Sequence, residues 1–108
     1  MITDEQIEDA LDWLRDHAEP CAKAVAESWY MQDYRKVVKA QEMGKSNETL
    51  VSAQERHAYA SEAYRAHLLA TRTAIEKEQY ERFMLKAAEA KMEAWCTQQS
   101  NQRAMGKI

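Results

Sequence analysis

Residues that interrupt helices are almost missing from this sequence. Pro20, Gly44 and Gly106 are its only proline and glycines, and the whole stretch between the two glycines contains neither type. Proline and glycine are the least favourable residues inside helices, whereas the abundant alanine, glutamate, glutamine, lysine and methionine favour them. A chain of 108 residues has about the length of one small domain. The sequence therefore predicts one all-α domain over residues 1–108.

Two signals predict the first two helices. Thr3 followed by Gln6 has the pattern of a capping box, in which two side chains satisfy the backbone N–H groups at a helix start. Pro20 is poorly tolerated in a helix interior but acceptable in a first turn. We therefore expect a short N-terminal helix over about 3–18 and a second helix over about 20–43.

A polar turn separates these helices from the rest of the chain. Gly44 is suited to end a helix in the left-handed conformation, and a polar loop follows it. Ser52 and Glu55 then form a second capping-box pattern. The sequence predicts a long helix over about 52–100, either continuous or kinked near residue 77.

Apolar residues indicate how these helices pack. Trp13, Trp29 and Trp95 are expected to be large buried anchors. The start of the long helix has a seam suited to packing on the second helix, formed by Ala60, Ala63, Tyr64, Leu68, Thr71 and Ile75. The result would be a helical hairpin.

The end of the long helix carries a further apolar strip, for which only the short N-terminal helix remains as an intrachain partner. We therefore predict that the long C-terminal helix is used for oligomerisation and that other copies of the chain cover its apolar strip. The residues predicted to form that contact are Met84, Ala88, Met92 and Trp95.

Charge is distributed unevenly along the chain. The first 20 residues contain seven acidic residues and one basic residue, whereas the remainder has a small basic excess. Basic and aromatic side chains together are typical of surfaces that bind single-stranded nucleic acid. The alternative is that the basic residues form an ordinary solvated helix face and that the tyrosines pack in the core. The candidate nucleic-acid-binding residues are Lys39, Arg35, Lys36, Lys45, Arg65, Arg72 and Tyr34.

Other classes of protein find little support in the sequence. Two glycines cannot make a phosphate-binding loop, and His57 and His67 are poorly aligned for a shared metal ion, so neither an enzyme nor a metal or other cofactor is expected. No apolar run approaches the roughly 20 residues of a membrane span. Cys21 and Cys96 form no disulfide framework. We expect a protein of the cytoplasm, without membrane contact.

The layout resembles the UvsY-type recombination mediators of T-even-like phages and their shorter prophage relatives. The resemblance covers most of the chain as an order of helices, and it includes one short motif in "VVKAQEMGKSNE". Val38, Lys39 and Ala40 stand at the leucine, lysine and alanine of the family's Leu-Lys-Ala-Arg stretch, and Gln41 replaces its arginine. In that family the lysine and arginine contribute to binding of single-stranded DNA, so the resemblance carries this role to Lys39.

The resemblance implies a phage-derived DNA recombination mediator that works in the bacterial host cell. It would be an oligomeric scaffold that binds single-stranded DNA and helps a recombinase or annealing protein displace a single-strand binding protein. The alternative is a helical protein-interaction module, such as a phage inhibitor or assembly factor, without nucleic-acid binding. Its working surface would be the acidic residues Asp4, Glu5, Glu8 and Asp12.

Overall fold

A computed structural model describes residues 1–106, which form three helices joined by short connections. Helix α1 spans Asp4–Gly44, α2 spans Val51–Ala60 and α3 spans Glu62–Gly106. This part of the chain contains no strand, and none of its helices has the length and apolar character needed to cross a bilayer. The predicted all-α class and the predicted long C-terminal helix are confirmed.

The N-terminus of α1 has the reciprocal cap that its sequence predicts. The Thr3 N–H donates to Gln6 Oε1 at 2.9 Å, and the Gln6 N–H donates to Thr3 Oγ1 at 3.2 Å. Two backbone groups that a helix start leaves without intrahelical partners are satisfied in this way. Asp4 and Glu5 place negative charge in the first turn, where the helix dipole favours it.

Pro20 lies inside α1. The predicted boundary at this residue is therefore wrong, as are the short helix over 3–18 and the separate helix over 20–43. A proline in a helix removes the hydrogen bond to the carbonyl four residues earlier. That carbonyl belongs to Asp16, which is exposed like Pro20 itself, so water can hydrate it. Buried residues on both sides of the proline hold the helix together.

Helix α1 ends at Gly44 as predicted, but the glycine is not in the left-handed conformation. The helix closes instead through tighter hydrogen bonds that span three residues. The Lys45 N–H donates to the Glu42 carbonyl and the Ser46 N–H to the Met43 carbonyl, each at 3.2 Å. These bonds satisfy carbonyls at the helix end without a change of handedness.

Helix α2 has a different start from the predicted one. Leu50 is the N-cap in extended conformation and makes no side-chain capping bond, so the predicted capping box of Ser52 and Glu55 is wrong. The chain has already entered the helix at Ser52. The preceding loop is held instead by Gln54, whose Nε2 donates to the Glu48 carbonyl at 2.9 Å.

A break at Ser61 divides the helix that was predicted over 52–100. Ser61 is extended, with φ −72° and ψ 151°. Its hydroxyl donates to the Ala58 carbonyl at 2.7 Å and accepts the Tyr64 N–H at 3.2 Å. One side chain therefore closes α2 and caps α3. Helix α3 then continues without interruption through residue 77.

The chain divides into two compact units. The terminal unit comprises Met1–Ala22 and the chain from Gln79 onward, and the middle unit comprises Lys23–Glu78. Neither boundary coincides with a glycine, a proline or a loop. Both boundaries lie close to positions where the sequence predicts a break, Pro20 and residue 77, although the helices are continuous there.

In the terminal unit the two chain segments run antiparallel. The backbone N–H and carbonyl of Ile2 exchange hydrogen bonds with the side-chain amide of Gln98 at 3.0 and 2.9 Å. The Cys21 thiol donates to Glu81 Oε2 at 3.5 Å. The end of α3 therefore has an intrachain partner in the N-terminal segment, the one partner that the sequence left open. Oligomerisation itself stays a prediction.

The middle unit buries small and polar side chains. Ser28 is fully buried and accepts a hydrogen bond from Gln32 Nε2 at 3.0 Å. Ala24 and Val38 are buried on the same helix. Trp29 is 63% exposed, so its predicted role as a buried anchor is wrong. The inward position belongs to Ser28, and one step along a helix turns the next side chain away from it.

Candidate nucleic-acid interface

Three of the predicted basic residues meet in one cleft of the middle unit. Arg35, Lys36 and Lys39 of α1 line a cleft of about 320 Å³ together with Tyr59 of α2 and Tyr64 of α3. Arg35 and Lys36 are exposed and Lys39 is half-buried. Their spacing along α1 places Arg35 and Lys39 one helical turn apart. The cleft therefore combines three cationic groups with two aromatic rings.

Lys39 is held in a defined position. Its Nζ lies 5.0 Å from the centre of the Tyr59 ring and 3.7 Å from Glu55 Oε1. A hydrogen bond with Tyr59 raises the pKa of Lys39, partial burial opposes the rise, and the negative charge of Glu55 adds to it. A lysine with a raised pKa keeps its proton at neutral pH. Lys39 therefore stays positively charged, with the Glu55 carboxylate beside it.

Tyr59 is not among the residues predicted from the sequence. Its ring packs edge-on against Tyr64, with centroids 5.2 Å apart, while the residue stays 51% exposed. An exposed ring beside cations is a surface on which a base can stack. The sequence contains no local signal for this position, because Tyr59 reaches the basic residues of α1 only through the fold.

Tyr34, the tyrosine that was selected, does not line this cleft in the described chain. It is half-buried and stacks on Tyr30, with ring centroids 5.6 Å apart. Its ring centroid also lies 5.7 Å from that of the tilted His67 ring. Tyr30 is the more exposed member of the pair, at 59%. Tyr34 therefore contributes mainly to packing within the middle unit.

Lys45 is not among the residues that line the cleft, and its ammonium forms an ion pair with Glu42 instead. Its Nζ donates to Glu42 Oε1 at 2.9 Å, and the Glu42 side chain is only 10% exposed. A buried carboxylate needs a partner of opposite charge. The ammonium of Lys45 meets that requirement at the end of α1, so we assign Lys45 a structural role there.

Arg65 and Arg72 are exposed on α3, seven residues apart. This spacing places them on one face of the helix. Arg65 directly follows Tyr64, whose side chain lines the cleft, but neither arginine lines it within the described residues. The structure therefore brings together Arg35, Lys36 and Lys39 and leaves these two arginines outside that group.

The residues predicted for oligomerisation lie in the terminal unit and differ in exposure. Ala88 is buried, Met92 and Trp95 are half-buried, and Met84 is exposed. Trp95 Nε1 is covered by the chain yet has no hydrogen-bond partner within the described structure. The outward-facing member of the predicted set is therefore Met84.

The part of the chain that the structure describes contains no group of three or more histidine, cysteine, aspartate or glutamate side chains arranged to hold a metal ion. Comparisons with protein-family models, with curated proteins and with solved structures found no match to this chain.

Proposed function

We propose that this protein is a single-stranded DNA-binding accessory protein of DNA recombination, of phage origin, which acts as an oligomeric scaffold. The observation that carries the proposal is the cleft that Arg35, Lys36 and Lys39 line together with the exposed Tyr59. The resemblance to UvsY-type mediators, which assigns a DNA-binding role to Lys39, supports the same function.

The chemistry of the cleft suits a single strand better than a duplex. The backbone phosphates of a strand are attracted by Arg35, Lys36 and Lys39, and an unpaired base can stack on Tyr59. In a duplex the faces of the bases are already stacked on one another, so the tyrosine would have nothing to bind. We therefore assign the cleft to single-stranded DNA.

Lys39 has two partners in the free protein, and a phosphate would replace one of them. Glu55 holds the ammonium by charge, while Tyr59 holds it through its ring. A phosphate oxygen can take the place of Glu55, because both are anionic acceptors. The lysine would then join the strand without a large movement of its stem.

The proposed mechanism is binding without bond making or breaking. One cleft with three cations gives modest affinity, and several copies on one strand add their contacts through effective concentration. Such an assembly would compete with a single-strand binding protein and present the strand to a recombinase or annealing protein. The acidic start of α1 would repel the phosphates and keep the strand away from it.

A titration of fluorescent oligo-dT, followed by anisotropy at low salt, tests this function. We expect saturable binding by the natural chain and weak binding by the double variant Arg35→Ala, Lys39→Ala. A matched control, Lys77→Ala with Arg103→Ala, removes the same charge from exposed sites outside the cleft. Equal losses in both double variants would mean that net charge, not the cleft, determines binding.

The second candidate is a protein-interaction module, and the exposure of Trp29 favours it. Exposed tryptophans are enriched where proteins bind each other. If the chain is such a module, the oligo-dT titration shows no binding. Binding of a basic protein partner is then lost when the acidic residues are neutralised, namely Asp4, Glu5, Glu8 and Asp12. Asp12 already pairs with Arg15 at 3.3 Å, which reduces the free acidic surface.

A further inference from the structure

The terminal unit has an apolar groove between its two antiparallel segments. The groove has a volume of about 230 Å³, and its floor includes the buried residues Ala10 and Ala88. Larger apolar side chains, Trp13 and Met84, stand beside them. A groove with small residues on its floor and large ones at its sides can accept an aromatic ring.

An aromatic ridge lies next to the groove on α3. Tyr80 and Phe83 are 62% and 63% exposed, and they are three residues apart on one helix face. Met84 and Ala87, which line the groove, occupy the adjoining positions of the same helix. Lys86 Nζ lies 5.5 Å from the centre of the Phe83 ring. Ridge and groove therefore belong to one continuous surface, which we call the α3 face.

The rim of the groove carries one charge of each sign. Asp9 comes from α1 and Lys91 from α3, and both are exposed. Within residues 1–106 neither takes part in an ion pair. A surface with an acid and a base on opposite sides is complementary to itself after a two-fold rotation.

We propose that the α3 face binds the α3 face of a second copy of this chain with two-fold symmetry. Phe83 of each copy enters the groove of the other, and Lys91 of each copy meets Asp9 of the other. The same surface supplies a projecting ring, a receiving groove and charges of both signs, which is what a symmetric dimer requires. A partner of a single charge would leave either Asp9 or Lys91 opposed by a like charge.

This inference deepens the oligomeric part of the proposed function and rests on it. Pairing through the terminal unit leaves the cleft residues of the middle unit unused, so a dimer carries two DNA-binding clefts. Two linked clefts bind one strand more tightly than two separate ones, because the second contact forms at a high effective concentration. The dimer is therefore the smallest unit of the proposed scaffold.

Sedimentation velocity over a concentration series, without DNA, tests the contact itself. The natural chain should shift from monomer to dimer, and Phe83→Ser should stay monomeric with an unchanged circular dichroism spectrum, because the ring is exposed in the protomer. Trp29→Ser is the matched control, since Trp29 is equally exposed but lies in the middle unit. It should dimerise normally. A natural chain that stays monomeric, or a dimer unaffected by Phe83→Ser, overturns the proposal.

A charge exchange identifies the pairing between copies. Asp9→Lys alone and Lys91→Asp alone should each weaken the dimer, because like charges then face each other across the two-fold axis. An equal mixture of the two variants should restore it, because each interface pair is again of opposite sign. A mixture that associates no better than the separate variants overturns the two-fold arrangement.

Measurement of oligo-dT binding by the Phe83→Ser variant distinguishes failure of the dimer proposal from failure of the DNA-binding function on which it rests. A monomeric variant that still binds oligo-dT, more weakly than the natural chain, supports both. A natural chain that dimerises but binds no oligo-dT supports the dimer contact and overturns the DNA-binding function. Unchanged oligo-dT affinity in the monomeric variant overturns the claim that dimerisation links two clefts.

Discussion

His67 Nε2 donates a hydrogen bond to the backbone carbonyl of Met31 at 2.6 Å. Met31 lies in the middle of α1, and His67 is a buried residue near the start of α3. The bond fixes the register of the two helices within the middle unit, because it joins a side chain of one to the backbone of the other. The proton must be on Nε2 when the ring is neutral.

Replacement of His67 by alanine is expected to lower the free energy of unfolding by about 1–3 kcal/mol, because a buried hydrogen bond and its packing are lost. Urea denaturation followed by circular dichroism measures the change. His57→Ala is the control, since His57 is exposed, and it should stay within about 0.5 kcal/mol of the natural chain. Equal effects at both sites would show that the bond to Met31 contributes nothing.

The two cysteines should differ in reactivity. Partial burial and then the hydrogen bond and negative charge of Glu81 raise the pKa of the Cys21 thiol, whereas Cys96 is exposed. A raised pKa leaves less thiolate at a given pH, so alkylation of Cys21 should be slow at pH 8 and should accelerate at higher pH. Peptide mass spectrometry after timed iodoacetamide treatment measures both rates.

The Glu81→Gln variant tests the cause of this difference. Removing the carboxylate charge lowers the pKa of Cys21, so its alkylation at pH 8 should become faster while that of Cys96 does not change. A Cys21 rate that is insensitive to Glu81→Gln would leave burial as the whole explanation.

Trp95→Phe should be tolerated. The indole N–H of Trp95 is covered by the described chain and has no partner, and an unsatisfied buried donor costs about 1–3 kcal/mol. Phenylalanine removes that donor but also removes some apolar contact, so the two effects oppose each other. We expect a change of less than about 1 kcal/mol in the free energy of unfolding, against roughly 2–4 kcal/mol for Trp95→Ala. Similar losses in both variants would contradict the unsatisfied donor.

The ring of Tyr59 should matter more than its hydroxyl. Loss of a stacking ring typically costs about 1–3 kcal/mol of binding to a single strand, so Tyr59→Ala should weaken oligo-dT binding about 5- to 150-fold. Tyr59→Phe keeps the ring beside Lys39 and should retain most of the affinity. An equal loss in the two variants would show that the hydroxyl, not stacking, is responsible.

The salt dependence of binding counts the phosphate contacts. Each contact with a single strand contributes about 0.7 to the slope of log affinity against log salt. The double variant Arg35→Ala, Lys39→Ala should therefore lower the magnitude of the slope by about 1.4. A slope that does not change would mean that neither residue contacts phosphate.

The helical class, the cap at Thr3 and the end of α1 at Gly44 were accessible from sequence because they depend on neighbouring residues. The continuation of α1 through Pro20 and the helix break at Ser61 were not predicted, because both depend on context. Solvent at the Pro20 site lowers the cost of a lost hydrogen bond, and the Ser61 hydroxyl serves two helices at once. Neither effect can be read from the helix propensities of the residues involved.

The packing face of α3 was predicted only in part. Tyr64 of the predicted seam is buried, whereas Ala63 and Leu68 are exposed. Its buried residues are separated by three residues or by multiples of seven, the spacing of coiled-coil contacts. Tyr64 and Ala88 are apolar members of this set, but His67, Glu78 and Glu81 are polar or charged. Apolar periodicity alone therefore predicts a face that includes Leu68, which is exposed. The spacing of Arg35 and Lys39 alone places them on one helix face, whereas Tyr59 reaches them only through the fold.

The most direct test of the central claim is NMR mapping of backbone amide shifts as oligo-dT is added. If the strand binds the cleft, the largest changes should appear at Arg35, Lys36, Lys39 and Tyr59, with little change in the acidic start of α1. Shift changes that avoid the cleft, or a spectrum that does not change at saturating DNA, would contradict the proposed function.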